Sequence, residues 1–132
     1  MYSQVNGMGL FGMNAFKVTA EIMSSRGQPS FDIVGLGDLA VQESKMRIKG
    51  ALSGIGISVS GQRLTVNLAP ADVRKCGSLY DFTIIAAILA VNNIITDDLS
   101  DCAFIGEVSL GGSLVFTGGI ISMAIEAKKC GI

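Results

Sequence analysis

The chain has 132 residues, 49% of them apolar, and a formal net charge of −1. That length suits one domain with a single hydrophobic core, and the near-neutral balance excludes a global electrostatic pull toward nucleic acid or an anionic membrane. Histidine is absent, which removes Ser-His-Asp and Cys-His catalysis and any zinc site with a histidine ligand.

Mean hydropathy is +0.54 and charged residues make up only 16%, a composition suited to buried strands and helices. No apolar run reaches the ~20 residues that span a bilayer; the longest, Phe82–Ile95, is interrupted by Thr83 and Asn92-Asn93. No basic segment precedes an apolar block at the N-terminus, so no signal peptide is expected, and a cytoplasmic location with no membrane partner follows. Cys76, Cys102 and Cys130 are irregularly spaced and one thiolate short of a four-cysteine zinc site. They are expected to be reduced and mostly buried.

In chain order, residues 2–23 read as a strand pair turning at Gly12-Met13-Asn14, with Phe16, Val18, Ala20 and Ile22 alternating against Lys17, Thr19 and Glu21. Ser24–Ser30 reads as a loop and Phe31–Leu36 as a short apolar strand. Asp38 is the expected N-cap of a helix over Leu39–Ser53, with Val41, Ile48, Leu52 and Ile55 near one face and Gly54 and Gly56 ending it. Glu43 and Arg47 stand four apart in the order that favours an ion pair, and the basic residues are expected on a solvated face. Ile57–Val59 reads as a short extended piece.

The chain is organised around Thr65–Ala90. A strand, Arg63–Leu68, runs through the turn Ala69–Asp72 and the corner Gly77-Ser78 into a helix over Tyr80–Asn92. That helix is apolar nearly all round and should be buried on most of its surface. After the loop Thr96–Asp98, Ala103–Leu110 reads as a strand, Gly111-Gly112 as a two-residue hairpin, and Leu114–Phe116 as the return. Gly118-Gly119 leads into a last helix, Ile120–Lys129, with Lys128 and Lys129 in its final turn and Gly131 at C′. The next strand of a βα alternation does not follow, so a single domain over 1–132, cut from a longer protein, is expected.

No Walker-type GxxxxGK[ST] and no GxGxxG occurs, so no nucleotide cofactor is expected in this segment. Gly35–Gly37, Gly111-Gly112 and Gly118-Gly119 read as turns. The aspartates show no metal-ligand spacing, so no metal site is expected. Arg26, Lys45, Arg47, Lys49, Arg63, Arg74 and Lys75 form the set that could face DNA phosphates.

Three blocks carry a resemblance: RGQPSFDIVGLGDLAVQESKMRIKGAL (Arg26–Leu52), TVNLAPADVRKCG (Thr65–Gly77) and FIGEVSLGG (Phe104–Gly112). They resemble the N-terminal domain of magnesium-chelatase-like AAA+ proteins of the ComM/YifB group, over essentially the whole chain. The resemblance implies an α/β (α+β) fold of the ribosomal protein S5 domain 2 type, shared with the proteolytic domain of Lon: two layers with a mixed sheet and helices over one face. It further implies a following ATPase module that binds ATP and Mg2+, a hexameric homo-oligomer, and action on DNA as a helicase in natural transformation.

Gly106–Ile132 is similar to the Lon segment whose GGLK motif holds the catalytic lysine, and here Gly118-Gly119-Ile120-Ile121 places Ile121 at that position. Against the GPSAG motif of the nucleophile, Gly77-Ser78-Leu79-Tyr80-Asp81 puts Leu79 at the serine and Ser78 at the proline. A Ser-Lys peptidase needs a neutral lysine within hydrogen-bond reach to take the hydroxyl proton, and isoleucine cannot accept one. Ser78, one residue off, would still lack its base, and Lys75 is expected on another connection and solvated. The expected catalytic set is therefore empty, with Ser78 an N-cap or turn residue. Two alternatives stay open, an ATP-dependent Ser-Lys peptidase and an ATPase subunit of a magnesium chelatase.

Overall fold

The computed structural model describes all of residues 1–132. Its elements in order are β1 (Tyr2–Phe11), β2 (Asn14–Arg26), β3 (Ser30–Val34), α1 (Leu39–Gly54), β4 (Gln62–Ala69), α2 (Asp81–Val91), β5 (Glu107–Val108), β6 (Leu114–Val115) and α3 (Ile120–Lys129). The first four strands form one mixed sheet in the order β1-β2-β4-β3, antiparallel except for β3 alongside β4. The expected α+β architecture with a mixed sheet is what is found.

The alternation along β2 and β4 decides which face is buried. Val18, Ala20 and Ile22 on β2, with Leu64, Val66 and Leu68 on β4, point to one side and are fully or almost fully buried. α1 and α2 cover that side: Val41, Ile48 and Leu52 of α1, and Ile84, Ile85 and Ile88 of α2, close the core. As the apolar run predicts, no residue of α2 is exposed. Ile55 is the C-cap residue of α1 and is exposed, so the apolar stripe of α1 ends at Leu52.

Close approach of α2 to the sheet depends on two glycines of β1. A Cβ at Gly7 would lie 2.5 Å from Thr83 Oγ1, and one at Gly9 would lie 2.6 Å from Tyr80 Oη. Met8, between them, points to the opposite face. There it joins Met123 and Ala127 of α3 in a second, smaller cluster. The helices therefore do not all cover one face, in contrast to the expectation: α1 and α2 lie on one side of the sheet and α3 on the other, near the β1–β2 turn, because Met8 turns its side chain away from the main core.

Several local details differ from the expectations. The segment before β5 is not a continuous strand. Its N–H groups are used elsewhere: Phe104 N donates to Asn6 O (2.9 Å) and Gly106 N to Leu79 O (2.8 Å), with φ +150° at Gly106 breaking the run. The hairpin after it closes through three residues, because Ser109 N donates to Ser113 O (2.8 Å) across Leu110–Gly112. All three cysteines are free and exposed, against the expectation of mostly buried thiols; each lies in a loop or at a helix end. No helix is long and apolar enough to cross a membrane.

Candidate functional site

The carboxyl ends of the parallel pair β3 and β4 lead into the two corners that precede α1 and α2, and the chain ties these corners together. Asp38 caps α1 through Oδ1, which accepts from Val41 N at 2.9 Å, as its position predicts. Its second oxygen accepts from Gly77 N at 3.2 Å, across to the other corner. Asp38 N donates to Lys75 O and Lys75 N to Leu36 O, both at 3.0 Å. Gly35 makes this crossing possible: its φ is +105°, and a Cβ there would fall 2.3 Å from Leu68 O.

Lys75 sits inside this junction. The sequence reading put it in solvent; the structure buries it completely. Its Nζ donates to Gly35 O at 2.8 Å and to Pro70 O. Two carbonyls take two of the ammonium's three N–H groups with no paired carboxylate, and burial lowers its pKa below the ordinary lysine value, against an opposing contribution from Asp72. Ser78 is not among its partners. Beside it, Tyr80 is fully buried with its hydroxyl unpartnered, and burial raises its pKa.

Ser78 does not cap α2. The N-cap residue is Tyr80, whose side chain makes no capping bond. The Ser78 hydroxyl instead donates to Glu107 Oε2 on β5. Leu79 packs against both apolar clusters, whereas Ile121 on α3 is 78% exposed. Leu79 and Ile121 thus place hydrocarbon in two different environments, one packed and one open to water. A carboxylate is a much weaker base than an amine, so the Ser78–Glu107 contact holds the loop without generating an alkoxide.

The strongest polar contact at the corner is one the sequence does not announce. Asp81, at the start of α2, is completely buried and meets Arg47 of α1 through two bonds, Nε to Oδ2 at 2.7 Å and Nη2 to Oδ1 at 3.1 Å. Val108 N adds a third bond to Oδ2 at 3.2 Å, and Arg47 Nη2 also reaches Ser44 Oγ at 3.0 Å. The Asp81 bond leads the causes that raise the Arg47 pKa. The pair pins α1, α2 and β5 at one point. Arg47 pairs with Asp81 and not with Glu43, because the partner comes from 34 residues along the chain.

Of the residues that could face DNA, Lys75 and Arg47 are therefore withdrawn, one sealed in the interior and the other held by a buried carboxylate. Arg26, Lys49, Arg63 and Arg74 are exposed, and Lys45 is half-buried. They do not form one continuous patch: Arg26, Lys49 and Arg63 lie toward the start of β4, while Arg74 lies in the corner after its end. No three side chains of the metal-ligating types converge. Gly119 is the left-handed N-cap residue of α3, and a Cβ there would fall 2.4 Å from Leu10 Cδ1.

These features define a class: a mixed α/β domain whose strand-to-helix corner brings a serine hydroxyl to a carboxylate. A model of the family described as subunit ChlI of Mg-chelatase matches residues 20–132. The chain is 37% identical, over 98% of its length, to the uncharacterized protein YifB of Escherichia coli, of which it covers 26%. It is 36% identical, over 89% of its length, to the competence protein ComM of Haemophilus influenzae, of which it covers 23%. The chain belongs to the Mg-chelatase ChlI family, and it spans about a quarter of the length of these relatives.

Proposed function

We propose that residues 1–132 act as a non-catalytic interaction and regulatory domain of a Mg-chelatase-like AAA+ ATPase that works on DNA during competence. The observation that carries the non-catalytic part is the fate of the corner's only amine: Lys75 is buried on two backbone carbonyls, and the Ser78 hydroxyl meets Glu107. Relatives about four times as long leave room for an ATPase module that would bind ATP and Mg2+ and assemble as a hexamer. The name of the relative ComM supports the competence context.

Two measurements test this. A serine-reactive fluorophosphonate should leave the chain unlabelled; labelling that disappears in Ser78→Ala would restore the peptidase reading. Strand displacement and branch migration by the full-length protein, with and without residues 1–132, should differ in rate or in hexamer assembly. No difference in either would remove the regulatory role. The family description favours one second reading, an ATPase subunit of a magnesium chelatase. ATP-dependent Mg2+ insertion into a porphyrin by the full-length protein with its partner subunits would establish it.

A further inference from the structure

No charged residue occurs from Val108 to Ile125, a span that holds β6, one strand of the two-stranded sheet β5-β6. Exposed strand edges are commonly blunted by lysine, proline or an inward-pointing charge; β6 carries none of these. Its outer edge is also unpaired. Val108 N turns to Asp81 Oδ2, away from β6. Val108 and Leu114 are therefore a non-hydrogen-bonded pair, and Leu114 directs its own N–H and C=O outward.

Exposed hydrocarbon surrounds this edge: Leu110, Leu114, Val115 and Phe116, with Ile55 at the end of α1. Phe116 is 92% exposed. Beside it, an apolar cavity of about 130 Å³ opens between α1, α2 and the hairpin, lined among others by Ile55, Phe82, Gly112 and Leu114 and by no charged side chain. An apolar cavity of ~150 Å³ binds benzene, so this one has the size of a phenyl ring. Gly112 leaves its part of the wall bare, facing α1: a Cβ there would lie 3.2 Å from Ala51 O and 3.3 Å from Ile55 Cγ2.

We propose that a second copy of this chain docks here, β6 against β6 across a two-fold axis, with Phe116 of each copy in the cavity of the other. Knob and cavity lie side by side on one surface, as a self-complementary contact requires. With Leu114 facing the partner's Leu114, the outward groups exchange two hydrogen bonds, and the antiparallel register sets Phe116 opposite the partner's Gly112. The missing charges matter because a two-fold contact brings each residue near its own counterpart, where like charges repel. At roughly 100 Å² for each aliphatic side chain and about 200 Å² for the phenyl, the five side chains offer roughly 600 Å² a copy. The pair then buries about 1,200 Å², the lower limit of a specific interface. The contact uses neither the corner at Ser78 nor the hexamer proposed for the ATPase module, so it is independent of the regulatory reading above.

The test is sedimentation velocity of the chain from low to high micromolar concentration, alongside Phe116→Ala and Met13→Ala. A reversible monomer–dimer equilibrium is expected, with a dissociation constant in the micromolar range, as suits an interface of this size. Phe116→Ala should raise that constant about thirtyfold, the loss of a central aromatic anchor. The monomer should keep its fold, because the ring is almost wholly in solvent. Met13→Ala, at a 90% exposed position on the β1–β2 turn, should leave dimerisation unchanged. In a mixture of labelled and unlabelled chains, isotope-filtered NOEs should connect the Phe116 ring with Ile55 of the partner subunit. A monomer at every concentration, a dimer insensitive to Phe116→Ala, equal weakening by Met13→Ala, growth beyond the dimer, or a dimer without that NOE would each overturn the proposal.

Discussion

Replacing Arg47 by methionine tests whether the contact of α1, α2 and β5 depends on the buried pair. The substitution keeps most of the side chain's length but leaves Asp81, with no exposed side-chain surface, holding only the Val108 N–H at 3.2 Å. Removing one partner of a buried ion pair costs about 3–5 kcal/mol, because the remaining charge stays desolvated. Against a total stability of roughly 5–15 kcal/mol, that is a large share. The reverse change, Asp81→Asn, should cost less, about 1–3 kcal/mol, since Arg47 is 21% exposed and can turn to water. The informative variant is the double one. Arg47→Met with Asp81→Leu removes both charges, and buried pairs replaced by apolar groups of similar volume are commonly neutral or stabilising. The double variant should therefore be more stable than Arg47→Met alone. Urea unfolding, read as midpoint and slope, measures all three. A cost under ~1 kcal/mol for Arg47→Met, or a double variant no more stable than that single one, would refute the reasoning.

Lys75 and Tyr80 give the chain opposite alkaline behaviour. The lowered pKa of Lys75 means that the unfolded chain binds more protons between that value and about 10.4, so this residue makes stability rise with pH across the window. Lys75→Met should flatten that rise in unfolding curves taken from pH 7 to 10. The raised pKa of Tyr80 makes the folded chain hold its proton longer, so stability falls as pH climbs above about 10. Tyr80→Phe should abolish that fall and cost under ~1 kcal/mol at neutral pH, because the hydroxyl it removes has no partner. Gly9→Ala should lower the urea midpoint by an amount worth about 1–3 kcal/mol, since its Cβ would lie 2.5 Å from Phe16 Cζ. Leu79→Ser with Ile121→Lys should remain unlabelled by a fluorophosphonate, because a lysine at the 78%-exposed position 121 stays hydrated and charged. Labelling of this pair would show that α3 can close onto the corner.

Much of the architecture is written locally. The alternation in Phe16–Ile22 and Leu64–Leu68, the Asp38 cap and the all-apolar helix after Tyr80 each depend on neighbours within a few residues, and each forms where the pattern places it. The absence of histidine and of a Walker motif likewise removes whole reaction classes before any fold is known. The site was decided by contacts between residues far apart in sequence. Lysine and arginine read as solvated because they usually are; whether one is buried depends on which carbonyls or carboxylates the fold brings to it. For Lys75 these come from Gly35 and Pro70, and for Arg47 from Asp81, 34 residues away. Ser78 meets Glu107 only because β5 crosses the start of α2. The placement of α3 on the far face follows from Met8, whose neighbours Gly7 and Gly9 give α2 its seat on the near one. Periodicity orients a side chain relative to its own element, whereas burial and pairing depend on what the rest of the chain packs against that face.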